Sequence, residues 1–236
     1  MGSFKRDFDV SFRCPPVTGY RTRLRSITFA KCSLESGAFA QLKCPRLETL
    51  SIYHSFLKEK EFRDFIASST ALLHLFVVNV DGFRGDSLRG FSSRSNENES
   101  KLEFLQISSC MDFNEENLQH LVECKHLETL ILAETRTITN RVFEYASRIE
   151  CLASLGVDGT NVSDGLQPLL KLANLRNVSL SETGFDTIEK LKPLLEYRGR
   201  KQLSVSCHNS LSPEEVELFE EKLNERNRRM RVRQKN

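Results

Sequence analysis

The sequence predicts an α/β solenoid, with a parallel sheet along one face and helical segments along the other, built from about eight copies of one short unit. Three observations predict it. Apolar residues recur in a frame with offsets 0, 3 and 5, followed by a small residue at offset 8. The frame restarts at nearly even intervals along most of the chain. Between frames, apolar positions fall at helical spacing, as in Phe62, Phe65 and Ile66.

The stretch Leu102–Leu127 holds the fullest unit: Leu102, Leu105, Ile107 and Cys110, then Phe113, Leu118 and Leu121, then Cys124. Counted outward, the frame starts at Leu24, Leu47, Leu72, Leu102, Leu127, Leu152 and Leu175, with a degenerate last copy at Arg200 (Leu203, Val205, His208). All but one of these steps fall within the period of roughly 20–29 residues of a leucine-rich repeat, and the exception, from Leu72 to Leu102, barely exceeds it. The expected architecture is therefore a leucine-rich-repeat horseshoe with a concave parallel sheet and a helical convex side. Offsets 3 and 5 alternate with polar neighbours, as in a half-buried strand. The small Cys, Ser or Thr at offset 8 suits the turn that follows. Pro168 and Pro193 stand in LQPLL and LKPLL, at matching positions of successive repeats. They are predicted to open short helices at their first turn, where the missing N–H costs nothing.

Outside the repeats, residues 1–23 read as an irregular N-terminal cap, since solenoid ends need covering. The one long step carries an insertion over 82–100, with Ser92–Ser100 expected to be a mobile loop. At Ser212-Pro213-Glu214-Glu215 a capping box with Pro at the first helical position opens a predicted capping helix over 209–225. Its stripe of Val216, Phe219 and Leu223 is expected to cover the last repeat. Residues 226–236 then read as a basic tail: Arg226, Arg228, Arg229, Arg231, Arg233 and Lys235, six positive charges without an acid. Taking those six from the net +2 leaves −4 for the body. With no aromatic interleaved for base stacking, a solvated tail or an import signal is the reading, ahead of nucleic-acid binding.

Composition excludes several classes. The longest strongly apolar run, Ala71–Val80, is interrupted by His74 and Asn79 and falls short of the roughly 18 residues a membrane span needs, so no membrane insertion is expected. The N-terminus lacks an apolar signal region, and Arg6 stands where a myristoylation motif needs Ser or Thr. Seven cysteines, an odd number without a C-x-x-C pair, indicate reduced thiols in the cytoplasm or nucleus. Phosphate-loop, dinucleotide, nucleophile-elbow and zinc-protease motifs are absent from the sequence, so no enzyme activity, cofactor or metal is predicted. His120, Cys124 and His126 lack further convergent ligands. Cys207 and His208 are adjacent strand residues that point to opposite faces, which is poor placement for proton transfer.

If offsets 0, 3 and 5 point inward, offsets 2, 4 and 6 face the concave side. Most of those positions are small and polar. Repeats two to five instead present Tyr53, His74, Phe76, Val78, Phe104 and Ile131 on adjoining strands, with Glu134 and Asp158 as an acidic edge. A contiguous aromatic patch of this kind marks a contact site for a protein partner. The alternative is that the chain's own segment 82–100, or its N-terminus, folds over it.

An offset-8 cysteine paired with a second cysteine just before the next leucine, complete at Cys110 and Cys124 and partial at Cys32, Cys44 and Cys151, resembles the cysteine-containing leucine-rich repeats of F-box and antagonist-of-mitotic-exit-like proteins. The resemblance covers about residues 24–208. It implies an interaction module and, as a narrower expectation, the substrate-recognition component of a ubiquitin ligase that recruits ligase subunits through another chain. An F-box takes more chain than the stretch from Met1 to Arg23 ahead of the first repeat, so the ligase-docking half is not expected here. A nucleic-acid or chromatin-associated module acting through the basic tail is the expectation from a different class.

Overall fold

The computed structural model describes residues 23–34, 37–39, 42, 44–92, 99–208 and 210–233. All but the last residue of the expected N-terminal cap, and Lys235, lie outside them.

Each unit opens with a strand. The first gives β1 (Ser26–Ala30) and a two-residue convex strand β2 (Ser33–Leu34). The second gives β3 (Thr49–Tyr53), β4 (Phe56–Leu57) and α1 (Glu59–Ser68). The third gives β5 (His74–Val78) and α2 (Arg89–Ser92). Next come β6 (Phe104–Ser108), β7 (Thr129–Ile131) with α3 (Val142–Ala146), and β8 (Ser154–Gly156). The chain ends with β9 (Asn177–Ser179), α4 (Ile188–Glu196), β10 (Ser204–Ser206) and α5 (Pro213–Arg233).

Among the described residues, eight of these strands form one parallel sheet in the order β1-β3-β5-β6-β7-β8-β9-β10. The predicted register holds through seven of them. Ile27 pairs with Leu50, Leu50 with Leu75, Leu75 with Leu105, Leu105 with Leu130, Leu130 with Leu155, and Leu155 with Val178. From the second unit on, offsets 0, 3 and 5 stack into one continuous core, with Leu47, Leu72, Leu102, Leu127, Leu152 and Leu175 wholly buried, whereas in the first unit Leu24 is exposed and Ile27 half-buried. No unit buries its apolar edge alone, and stacking is what closes each one.

Strand exit has a recurring geometry. Offset 7 is left-handed at Lys31, His54, Asn79, Ser109, Glu134, Gly159 and Glu182, with φ between 49° and 66°. Where offset 8 is Ser or Thr, its side chain bonds a nearby carbonyl, and in the third unit the position is the buried Val80. Ser55 Oγ donates to Tyr53 O at 2.7 Å, Thr135 Oγ1 to Ala133 O at 3.2 Å, and Thr160 Oγ1 to Val157 O at 2.6 Å. Cys110 and Cys124 are core residues.

Several expectations need correction. The last frame starts two residues later than counted: Ser204, not Gln202, pairs with Asn177. Leu203, Val205 and Cys207 keep the same parity, so a slip of two leaves the alternation intact. The first half of the presumed insertion is an ordered convex segment. Phe83, Leu88 and Phe91 are buried, and Phe83 stacks on Phe113 with ring centroids 5.9 Å apart. This part packs against α1 and the 3₁₀ segment Glu115–Leu121, away from the sheet's open face; residues 93–98 lie outside the described ones. Pro168 does open its 3₁₀ turn, Gln167–Lys171, but Pro193 sits inside α4. The capping box forms, with Ser212 Oγ donating to Glu215 Oε2 at 2.9 Å and accepting from Glu215 N at 3.3 Å. The helix it opens does not stop at 225. It continues to Arg233, so most of the basic tail is helix.

Candidate partner-binding site

The open face of the sheet carries the even offsets, as predicted. Tyr53, His74, Phe76, Val78, Phe104 and Ile131 are all half-buried there. His74 lies directly opposite Phe104 in the β5–β6 pairing, its ring edge-on at 6.3 Å between centroids. Phe76 sits diagonally across and stacks on Phe104 at 4.9 Å, tilted by 34°. Cross-strand and diagonal neighbours are the contacts a pleated surface permits. The His74 ring is steadied from the other side, with Nδ1 3.3 Å from Thr49 Oγ1. Tyr53 pairs with Val78, and Ile131 lies between Gln106 and Gly156. The result is an aromatic ridge on β5 and β6 that steps down across Ile131 to the bare backbone of Gly156.

The acidic edge is partly engaged. Glu134 is exposed and accepts from Ser109 Oγ at 2.8 Å. Asp158 Oδ1 accepts from Ser179 Oγ at 2.6 Å and from Ser181 N at 2.7 Å, so this carboxylate ties β8 to the end of β9. The sheet brings the six patch residues onto adjoining strands, and the acids lie just past the ends of β7 and β8.

The basic residues are elsewhere, and they are not one tail. α5 packs against α4, with Phe219 and Leu223 buried. Arg226 is half-buried, donates from Nε to Tyr197 O at 2.9 Å and from Nη1 to Asn227 Oδ1 at 2.6 Å, and lies 5.0 Å from the Tyr197 ring centroid. Arg228 and Arg229 are exposed, Arg229 pairing with Glu225 one turn back. The Arg231 and Arg233 side chains lie outside the described residues. Counting charges does not reveal that this helix meets Arg198 and Arg200 from the loop after α4, across an open groove of about 750 Å³. The available signal is Arg198-Gly199-Arg200, two arginines about a glycine whose Cβ would run into the Tyr197 ring.

Among the described residues, no group of three or more His, Cys, Asp or Glu is placed to hold a metal ion. His120 accepts from Arg89 Nε at 3.2 Å, and burial, then the Arg89 charge, holds its pKa below the usual histidine value. Cys207 is buried and its neighbour His208 exposed, the opposite facing expected of adjacent strand residues. No helix among the described residues is long and apolar enough to cross a membrane.

No protein-family model matches the chain, and no curated protein matches it. Solved structures do. Internalin F of Listeria monocytogenes superposes with a TM-score of 0.57 at 16% identity, over 78% of this chain and 48% of that one. Internalin C2 of the same organism gives 0.48 at 18% identity, over 65% and 58%. The chain thus spans about half the length of the internalins it matches, and at 16% identity the likeness to internalin F is one of fold. Together with the in-register parallel sheet and the repeating strand exit, it defines the chain as a leucine-rich-repeat solenoid.

Proposed function

We propose that the chain is a protein-interaction module that binds a protein partner on the concave face, through the ridge of His74, Phe76 and Phe104 and its neighbours Tyr53, Val78 and Ile131. One observation carries the reading: on adjacent strands the His74 and Phe76 rings both pack against Phe104, edge-on and tilted respectively, at a half-exposed surface instead of entering the core. Large apolar groups clustered this way are where interfaces concentrate their binding energy. Glu134 and Asp158 supply an acidic rim that favours a partner with basic residues flanking its apolar anchor. The module works without chemistry of its own, inside the cell.

The test replaces Phe76 and Phe104 together by Asp. Both side chains point away from the core, so the melting temperature should stay nearly unchanged, while co-purification of partners seen with the unsubstituted chain should be lost. Retention of every partner by the double variant removes this surface from consideration.

The narrower reading, substrate recognition within a ubiquitin ligase, is supported by the cysteine pattern at Cys110 and Cys124. It predicts ligase subunits among the proteins retained by the double variant, because they would be recruited away from the concave face.

A further inference from the structure

The groove beside α5 has an unbalanced charge at its base. The Arg226 guanidinium is half-buried, yet its hydrogen bonds go to neutral acceptors, the Tyr197 carbonyl and the Asn227 amide oxygen. Among the described residues no carboxylate pairs with it. Burial pulls its pKa down, with only the Tyr197 hydroxyl acting against that. A sunken cation without a counter-charge is costly unless something supplies the anion. Three of its five N–H donors are used, which leaves two directed elsewhere.

The rim adds charge of the same sign. Arg198 and Arg200 stand on one side and Arg229 on the other, with Glu196 the acid among the described lining residues. Glu225 offsets Arg229 from outside the groove. All four cations here are arginines. A guanidinium presents a planar fork of parallel N–H donors, which matches phosphate oxygens two at a time. A carboxylate satisfies one such fork, whereas a phosphate dianion has oxygens enough for several.

The remaining walls distinguish the kind of molecule that carries the phosphate. Leu170, Leu195 and Met230 are aliphatic, and the one aromatic lining residue, Tyr197, is 2% exposed beneath Arg226. No ring face is available for base stacking, which single-stranded nucleic acid uses for affinity. An aliphatic wall beside an arginine cluster suits a peptide with an apolar residue next to its charged group.

We propose that the groove between α4 and α5 is a second binding site, independent of the concave face, that takes the phosphate monoester of a phosphorylated peptide. Fluorescence anisotropy on the full chain tests it. The probes are a labelled degenerate peptide pool with a central phosphoserine flanked by leucine, the same pool with serine, and a labelled single-stranded deoxyoligonucleotide. The phosphoserine pool should bind at least about tenfold more tightly than the serine pool. Arg198→Glu combined with Arg200→Glu, both exposed on the rim, should lower that affinity by about tenfold or more with an unchanged circular-dichroism melting curve. Equal affinity for the two pools, measured on the unsubstituted chain and so independent of how any variant folds, overturns the proposal. So does an affinity untouched by the rim substitutions. Tighter binding of the oligonucleotide also overturns it and assigns the groove to nucleic acid instead.

Discussion

Offset 7 is where single residues matter most in this chain. A left-handed backbone costs a non-glycine residue about 1–2 kcal/mol, and the repeat accepts it at Lys31, His54, Asn79, Ser109, Glu134 and Glu182. What it gains is a tight strand exit that delivers the following small residue into the core. Polar side chains at this position also recover something, for Asn79 Nδ2 meets His54 Nδ1 at 2.7 Å, and Ser109 bonds Glu134. A β-branched side chain has no such recourse. Ser109→Val should lower the urea midpoint by the equivalent of about 2 kcal/mol, while Ser109→Gly should stay within about 1 kcal/mol of the unsubstituted protein. Equal midpoints for the two would show that the exit does not require this conformation. The next residue, Cys110, illustrates the other half of the device. Burial pushes its thiol up to about 11, so it is a packing atom with little thiolate character.

At the scale of elements, the convex side is held by carboxylates as much as by helices. Glu59 accepts from Arg84 N, Ser87 N and Ser87 Oγ at 2.8 to 2.9 Å. Glu115 accepts from Thr139 N and Thr139 Oγ1 in the same way, and Glu61 from Gly37 N. Each staples one convex segment to the next. Desolvation raises the pKa of Glu59, with Asp86 adding to it, and outweighs the donors from Ser87 and Arg84. A raised acid binds its proton more tightly in the folded state. Its contribution is therefore complete below the unfolded glutamate pKa and is lost as pH rises through the folded value. Glu59→Gln should remove that decline from a plot of urea midpoint against pH. It should also lower stability throughout by about 1–3 kcal/mol, because an amide accepts at one of the two positions only.

These staples also bear on what is legible in the sequence. Strands, register and core follow from the leucine frame because period-2 alternation sorts the side chains onto two faces. The same periodicity is blind to a shift of two, which is why counting sets β10 two residues early. Residues 82–92 look like a loop for their glycines, but Gly90 is there because a Cβ would meet Arg63 O at 2.6 Å where α2 crosses α1. The arginines of α5 read as a solvated tail because their charge masks their good helix propensity. On the concave face, Phe76 and Phe104 are legible from offset counting alone. The groove beside α5 is not, since it needs Arg198 and Arg226, separated in sequence by β10 and half of α5, to meet across a packing of helices.

For the molecule as a whole, the decisive question is where the sheet stops. A parallel sheet built from identical units has no internal reason to end, and an open edge strand is a template for another chain. Ser204 N donates to Arg176 O and Ser206 O accepts from Leu180 N, both toward β9, so the alternate residue Leu203 turns its peptide groups outward. There Asn227 Oδ1 accepts from Leu203 N at 3.1 Å and Asn227 Nδ2 donates to Leu203 O at 2.9 Å. One side-chain amide makes both bonds that a further strand would make to Leu203. Asn227→Ala should expose that edge, and sedimentation velocity should then show more concentration-dependent association for the variant than for the unsubstituted chain. A variant that stays monomeric at every concentration would show that α5 shields the edge by bulk alone. The amide thus serves as an end group in the polymer sense: it occupies the donor and acceptor that Leu203 would otherwise offer to a further strand.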